Sequence, residues 1–415
     1  METLLAPFIR DTPEGREADA ILRSCVHCGF CTATCPTYQL LGDELDGPRG
    51  RIYLIKQALE GKPVTAKTQL HLDRCLTCRN CETTCPSGVK YGRLLDIGRK
   101  FVDDRVGRTA ADTARRYALR KGMQSRTLFG AVLAAGRAAK SMLPRELAQR
   151  VPDAPAAGAW PTARHARTMI ITEGCVQPAL APNIDFATAR VLDRLGISAR
   201  RPHGDGGCCG ALAYHLSEHD EARATIRRNI DAWWPQVERG AEAIVVTASG
   251  CGVMVKDYGH VMAQDVAYAE KARRIAELAR DPVEIVAAEW DRLAAAMGGA
   301  PASATPLAFH SPCTLQHGMQ IRGKVEPILG NLGYRLTPVA DAHSCCGSAG
   351  TYSVLQPEIS NALKKKKITD LEAGAPALIA TANIGCMTHL ASGTRTPVRH
   401  WIELLDARLA AGAHG

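Results

Sequence analysis

The chain has 415 residues, of which 46% are hydrophobic, 22% charged and 5% aromatic, and its formal net charge is +9. At roughly 100–200 residues per domain, this length predicts two to four domains. The composition is ordinary for a globular protein, no run of about 18 apolar residues could span a bilayer, and the scarcity of aromatic residues argues against a nucleic-acid partner. Residues 1–16 carry acidic side chains and lack a secretory h-region, so we expect a cytoplasmic protein.

The sixteen cysteines are the most informative residues in the sequence. In a long chain without a secretory signal, clustered cysteines are more often metal ligands than disulfide partners. Together with the local composition they predict a multi-domain α/β protein whose first domain is mainly helical. The predicted division is a two-cluster ferredoxin-type domain (1–100), a basic helical connector with a Pro/Ala linker (101–168), and two Cys-Cys-Gly domains (169–300 and 301–415).

The first region repeats the spacing Cys-x2-Cys-x2-Cys-x3-Cys-Pro. Two-residue gaps let one loop supply three thiolates to a four-iron cluster, and in two-cluster ferredoxins the fourth cysteine binds the other cluster. Structural zinc is the alternative, but two complete runs that each end in proline exceed what paired zinc knuckles need. We therefore predict two [4Fe-4S] clusters, one on Cys25, Cys28, Cys31 and Cys85 and the other on Cys35, Cys75, Cys78 and Cys81.

Helical patterns fill the rest of the first two regions. Apolar spacing over Gly50–Glu60 predicts a helix closed by Gly61. Residues 99–150 hold thirteen Lys and Arg against four acidic residues, which accounts for the whole net charge of +9. Within them, Thr127–Leu143 is apolar with two cations, so it is expected to lie on an anionic membrane surface or on a partner subunit. The prolines of Val151–Pro161 indicate a linker.

The last two regions are an internal repeat. Its cysteine elements recur at offsets of 138, 137 and 135 residues, which indicates duplication. Strands are predicted at Met169–Ile171 and Ile244–Val246, and helices at Ala187–Leu195 and Glu218–Trp234. Alternating strands and helices predict an α/β fold for each copy, with its cysteines brought together at the carboxyl ends of the strands. The two sets are Cys175, Cys208, Cys209 and Cys251, and Cys313, Cys345, Cys346 and Cys386.

The chemistry of these eight cysteines stays open between an additional metal site, holding a cluster or zinc, and a redox dithiol or buried small hydrophobes. Met254 and His389 follow the last cysteine of each copy and are further candidate ligands, although packing is the commoner role for either residue type. Lys364–Lys367 is expected to lie on a solvated helix face.

No dinucleotide-binding or phosphate-binding glycine motif is present, so no catalytic residue is predicted on this chain. Oxidation of an organic substrate removes two electrons, whereas an iron–sulfur cluster accepts one. A flavin on a partner subunit is the natural converter between them.

Several long segments resemble the iron–sulfur subunits of bacterial glycolate oxidase (glycolate dehydrogenase), and the resemblance covers nearly the whole chain. The segments are Cys25–Gln57, Leu72–Val89, Arg228–Pro235, Thr247–Gly252, Cys345–Tyr352 and Thr381–Cys386. More distantly, the same arrangement of motifs is similar to subunits of D-lactate and glycerol-3-phosphate dehydrogenases, and heterodisulfide reductases share the Cys-Cys-Gly repeat.

The resemblance implies that FAD-containing partner subunits oxidise glycolate to glyoxylate while this chain passes electrons to a membrane acceptor such as quinone. It also implies a location that is cytoplasmic, with peripheral contact to the inner membrane. In relatives of the heterodisulfide reductase type the repeat ends in Cys-x-x-Cys, and here Met254 and His389 replace that last cysteine. A thiol-active enzyme and a zinc-stabilised scaffold remain the alternative functions.

Overall fold

A computed structural model describes residues 1–142, 144, 151–153, 155–202, 204, 206–297 and 304–412. The first hundred residues are helical, as predicted. Their helices are α1 (Pro7–Arg10), α2 (Pro13–Ser24), α3 (Phe30–Ala33), α4 (Pro36–Leu41), a 3-10 turn (Glu44–Asp46), α5 (Pro48–Leu59), α6 (Ala66–Asp73), α7 (Asn80–Thr84) and α8 (Tyr91–Val106).

The core of this helical region lies between α2, α5 and α8. Helix α5 covers the predicted Gly50–Glu60 segment except its last residue, and Gly61 closes it with a φ of +88°. Gly98 lets α8 approach α5 closely, because a Cβ at that position would lie 2.6 Å from the Ile55 side chain. The tight packing holds the two cysteine-bearing loops on one rigid support.

The connector consists of α9 (Ala110–Gln124), α10 (Arg126–Ala138) and a 3-10 turn (Lys140–Met142). This confirms the helix expected within Thr127–Leu143, apart from Leu143, which lies outside the described residues. Where the structure describes Val151–Pro161, it shows neither helix nor strand. Among the described helices, none combines the length and the apolar composition that spanning a bilayer needs.

Many cations of the connector are paired within the chain. Arg108 bridges Asp73, Asp103 and Asp112 at 2.6–3.1 Å, which fastens α9 to the helical region. Arg120 pairs with Glu218 at 2.5 Å and thereby joins α9 to the next region. The local positive charge therefore serves largely to join neighbouring parts of the protein.

The first Cys-Cys-Gly region is an α/β unit with a parallel sheet in the order β2-β1-β3-β4. Its strands are β1 (Arg167–Thr172), β2 (Ile197–Arg200), β3 (Ile244–Val246) and β4 (Ala279–Arg280). Its helices are α11 (Gln177–Leu180), α12 (Asn183–Arg194), α13 (Ala211–His215), α14 (His219–Glu238), α15 (Ser249–Lys256), α16 (Tyr258–Val261), α17 (Ala269–Leu278), α18 (Pro282–Ala288) and α19 (Trp290–Met297).

The second Cys-Cys-Gly region has the equivalent parallel order, β6-β5-β7-β8. Its strands are β5 (Pro306–His310), β6 (Arg335–Leu336), β7 (Leu378–Thr381) and β8 (Val398–His400). Its helical segments are a π-helical turn (Thr314–Gly318), α20 (Val325–Asn331), α21 (Tyr352–Leu355), α22 (Pro357–Glu372), α23 (Ile384–Ala391) and α24 (Trp401–Gly412). The matching sheet orders agree with duplication.

The two α/β units share one hydrophobic core. Helix α24 of the second unit packs on α12 of the first, with Arg190 and Asp406 paired at 2.6 Å and Trp401 fully buried. The prediction that Lys364–Lys367 lies on a solvated helix face is wrong for Lys367. Lys367 is 1% exposed, because α22 turns it inward, and its ammonium donates to the Asp341 carbonyl at 2.6 Å.

Candidate metal centres

All sixteen cysteines lie among the described residues and carry free thiols. Cys25, Cys28, Cys31 and Cys85 line one small cavity of the helical region, and Cys81 of the other predicted set lines it too. Burial, followed by the nearby Cys25, Cys85 and Cys28, raises the pKa of Cys31 to about 11. Crowded thiols with raised pKa values are the environment in which a bound cation replaces protons.

The other four cysteines form a second, deeper group. Burial raises the pKa of Cys78 well above its usual range, and Cys313, Cys75 and Cys35 raise it further. Burial raises the pKa of Cys81 in the same way, with Cys78, Cys75 and Cys35 among its charged neighbours. The structure therefore brings together both predicted groups, each including the fourth cysteine of the other run.

The two loops achieve this with left-handed residues at equivalent positions. His27 and Gly29 have φ values of 59° and 88°, and Thr77 and Arg79 have 53° and 57°. In each loop the two left-handed residues lie between successive cysteines of the run. The backbone therefore curls, and the first three thiols of the run can face a common point. Non-glycine residues in this conformation cost about 1–2 kcal/mol each, so the surrounding structure must hold each loop in this shape.

The two runs approach each other just before their fourth cysteines. Thr34 and Thr84, which immediately precede Cys35 and Cys85, join their hydroxyls at 3.1 Å. Two four-iron clusters fit this arrangement. Each group offers four soft sulfur donors, the loops curl around them, and the two runs lie close together.

A buried polar network supports the second group, and cysteine spacing alone did not reveal it. Arg51 is fully buried, donates to the His71 carbonyl at 2.7 Å and lies beside Cys75 and Cys35. Arg99 donates to the Cys75 carbonyl at 2.7 Å. These cations offset the negative charge that four thiolates concentrate there.

The first group is more accessible. Cys28 is exposed, and two neighbouring apolar side chains, Val26 and Phe30, are 67% and 63% exposed. In contrast, Cys78 is covered by the second α/β unit, where Leu76 packs with Cys313, Cys345 and other buried side chains. One group thus lies at the surface and the other faces the interior.

The eight repeat cysteines lie after the first three strands of each unit in chain order, as predicted. In the first unit, contact with Cys175 lowers the pKa of Cys208, whereas contact with Cys209 and burial raise it, to about 12 overall. In the second unit, the thiols of Cys313 and Cys345 lie 3.8 Å apart.

Both sets of repeat cysteines line a single cavity of about 530 Å³ between the α/β units and the helical region. Cys75 of the second ferredoxin-type group also lines it. Two other contacts fasten the second unit beside this group: the Tyr352 hydroxyl donates to the Arg74 carbonyl at 2.9 Å, and the Thr83 hydroxyl meets His317 Nδ1 at 2.9 Å.

The two further candidate ligands, Met254 and His389, line the same cavity as the repeat cysteines. Met254 is buried in the core of the first unit. His389 Nε2 lies 3.3 Å from the Ser360 hydroxyl, and burial lowers the His389 pKa to about 4. A different histidine, His310, lies among the cysteines of the second unit with Cys346 and Cys386. Its position three residues before Cys313 was the only sequence signal for it.

Comparison with known families supports the reading of both kinds of site. Residues 21–89 match the model of a 4Fe-4S dicluster domain, and residues 170–256 and 307–391 each match that of a cysteine-rich domain. The matched ranges contain all sixteen cysteines.

The chain is similar over its length to two proteins named for glycolate oxidase. It is 54% identical over 410 residues to the glycolate oxidase iron–sulfur subunit of Escherichia coli (strain K12), covering 99% of each chain. It is 27% identical over 435 residues to the probable glycolate oxidase iron–sulfur subunit of Bacillus subtilis (strain 168), covering 95% of this chain and 94% of that one. Lactate utilization protein A of an Exiguobacterium species is 29% identical over 241 residues, which is 56% of this chain and 94% of that protein.

Proposed function

Because this chain belongs to the glycolate oxidase iron–sulfur subunit family, we propose that it is the electron-transfer subunit of a glycolate-oxidising complex. The observation that carries the proposal is the full-length 54% identity, together with the two groups of four thiols in the matched dicluster domain. The lactate utilization relative covers only 56% of the chain, which favours glycolate over D-lactate as the substrate of the complex.

The proposed ligand sets are those expected from the sequence: Cys25, Cys28, Cys31 and Cys85 for one cluster, and Cys35, Cys75, Cys78 and Cys81 for the other. When bound, such clusters accept and donate one electron at a time. The four-part division at residues 100, 168 and 300 is likewise kept as a proposal.

The residues around the second group tune its environment. The buried Arg51 places positive charge beside Cys75, and so does Arg99, which donates to the Cys75 carbonyl. The second α/β unit keeps water from Cys78. Positive charge and exclusion of water act in opposite directions on a reduction potential, because charge favours the reduced anion and burial disfavours it.

We propose that the surface of the first group faces the flavin-containing subunit. Cys28 is exposed there, and the apolar side chains of Val26 and Phe30 surround it. Exposed apolar residues beside a redox site suit a protein interface, which would also shield the site once formed. The electron path would enter beside Cys28 and continue beside Cys78.

The remaining parts of the proposal concern partners and place. We propose FAD on the partner subunits, quinone as the membrane acceptor, and a cytoplasmic complex at the inner membrane. The membrane or partner contact predicted for Thr127–Leu143 also stays a proposal, supported by the exposed Leu128 and Val132 on α10.

The test is a reconstituted complex of this chain with its flavin-containing partners. Cys28→Ser and Cys78→Ser should each abolish glycolate-dependent reduction of an artificial quinone, while glycolate still bleaches the flavin absorbance. Val266→Ser is the control, because it replaces an equally apolar, fully exposed side chain outside the two cysteine loops. Full quinone reduction by either cysteine variant would contradict the relay, and failure of glycolate to bleach the wild-type flavin would contradict the substrate.

A further inference from the structure

Three metal-binding side chains converge at the carboxyl edge of the second sheet. His310 is the last residue of β5, Cys346 follows β6, and Cys386 lies in the first turn of α23 after β7. One ligand atom of each lies within 4.8 Å of the other two, and all three side chains are buried.

The imidazole of His310 has no hydrogen-bond partner among the described residues. Both Nδ1 and Nε2 are buried without a partner, although a neutral imidazole normally donates from one nitrogen and accepts at the other. A buried polar group left unpaired costs about 1–3 kcal/mol, so a native structure rarely keeps one without a use for it. The free nitrogens and the two thiols point to a shared ligand.

The first unit lacks this arrangement although it keeps the cysteines. Thr172 stands 138 residues before His310, at the end of β1, and its hydroxyl donates to the Val245 carbonyl at 3.3 Å. Within the part of the chain that the structure describes, no three-residue metal group occurs in the first unit. The histidine is therefore a property of one copy and not of the shared fold.

Buried positive charge accompanies the three side chains. Lys367 is 1% exposed, its charge is close enough to act on His310, and Cys345 and Cys346 act on it in turn. Burying an ammonium is costly unless an anion lies nearby. Asp370 supplies one such anion beside Lys367, and thiolates at Cys345 and Cys346 would supply more.

We propose that His310, Cys346 and Cys386 bind one divalent transition-metal ion of the zinc and ferrous iron class. Thiolate sulfur and imidazole nitrogen are the donors these ions prefer, at about 2.3 Å and 2.0–2.1 Å respectively. Binding releases the two thiol protons and changes no oxidation state. Cys345, whose thiol contacts that of Cys346, lies next to the fourth position. The site goes beyond the proposed function and does not depend on the substrate of the complex.

The experiment measures iron, sulfide and zinc in the full chain purified without oxygen. We expect about one metal ion per chain beyond the roughly eight irons of two four-iron clusters. His310→Leu and Cys386→Ser should each lower the occupancy of that extra ion at least tenfold, while the iron, sulfide and EPR signals of the dicluster domain are retained. Thr172→Val is the matched control at the equivalent position of the other unit, and it should keep the extra ion.

Spectroscopy of the wild-type chain covers the case in which a buried substitution prevents folding. For zinc, X-ray absorption should show nitrogen as well as sulfur bound to the ion. For iron, Mössbauer spectra of the chain enriched in iron-57 should resolve one high-spin ferrous ion, with mixed nitrogen and sulfur ligands, beside the iron of the clusters. Absence of any metal beyond the dicluster domain, coordination by sulfur alone, or full retention of the extra ion in a folded His310→Leu variant would each overturn the proposal.

Discussion

The two α/β units have the same strand order and equivalent cysteines, yet they provide different surroundings for them. In the first unit the cysteines lie near neutral hydrogen-bonding groups, since Asn229 donates to the Cys208 carbonyl at 2.7 Å and the Tyr258 hydroxyl donates to the Cys209 carbonyl at 2.9 Å. In the second unit a buried lysine, Lys367, lies beside them, together with His310, whose ring nitrogens have no hydrogen-bond partner within the described residues.

Duplication has thus preserved the scaffold of the two units, whereas the charged groups beside their cysteines have diverged. The second unit also lies beside the inner ferredoxin-type group, because Cys313 is close enough to raise the pKa of Cys78, and Cys78 is close enough to raise that of Cys345. A site on an electron path should therefore be sought in the second unit first.

The largest expected difference between the units is in electron transfer. Because Cys345 lies close to Cys78, we expect Cys345→Ser to lower glycolate-dependent quinone reduction by the complex about 10- to 100-fold. Cys208→Ser, the equivalent change in the first unit, should cause a smaller loss. Steady-state rates with matched cluster content would check this, and equal losses would show that the units contribute alike.

The next difference is in stability and concerns the glycine that follows each cysteine pair. Gly210 and Gly347 both have left-handed φ values, of 91° and 88°. A Cβ at Gly347 would lie 2.5 Å from the Ser360 carbonyl oxygen, whereas at Gly210 the nearest atom is 3.4 Å away.

Gly210→Ala should therefore destabilise the chain by about 1–2 kcal/mol from backbone strain alone, and Gly347→Ala by about 3 kcal/mol because a steric clash is added. Denaturant unfolding followed by tryptophan fluorescence gives the comparison. A Gly210→Ala variant as unstable as Gly347→Ala would contradict it.

The sequence predicted the fold and the cysteine groups because both leave regular traces. The two runs of four cysteines specify cluster-binding loops, and the Cys-Cys-Gly repeat specifies two equivalent units. The β-branched run Ile244–Val246 specifies a strand. The sequence did not predict His310 or the inward turn of Lys367. The surroundings of His310 depend on which strands become neighbours, and the burial of Lys367 depends on how α22 is rotated about its axis. Both properties follow from packing across the whole unit.

Replacing Lys367 by methionine should show whether the cysteines beside it are charged. If the thiols of the second unit are metal-bound thiolates, Lys367→Met should weaken metal retention about tenfold, equivalent to about 1.4 kcal/mol. If they are neutral thiols, removing a costly buried ammonium should instead stabilise the chain. Dialysis against a chelator followed by metal analysis distinguishes the two. Lys365→Met, at an exposed position on the same helix, should change neither quantity.

The dependence of stability on pH should be small, and buried groups of the two units should contribute to it in opposite directions. Burial raises the pKa of Asp281 in the first unit to about 7, Glu284 raises it further, and the Val283 amide and Lys256 oppose the shift. Burial lowers the pKa of His400 in the second unit to about 4. Between about pH 4 and 7 the unfolded chain has released the Asp281 proton that the folded chain keeps, so this carboxyl lowers stability as pH rises. His400 lowers stability as pH falls from about 6.5 to 4, because only the unfolded chain takes up the proton.

Asp281→Asn isolates the first of these two contributions. The amide oxygen still caps α18 by accepting from the Val283 amide, which Asp281 Oδ1 contacts at 3.0 Å, but there is no proton to lose. The free energy of unfolding should therefore gain up to about 1.4 kcal/mol per pH unit relative to wild type as pH rises from 4 to 7. Thermal unfolding at several pH values measures the difference, and parallel profiles for the two proteins would show that the Asp281 carboxyl is already ionised in the folded chain. The fall below pH 6.5 should persist in the variant, because His400 is unchanged in the second unit.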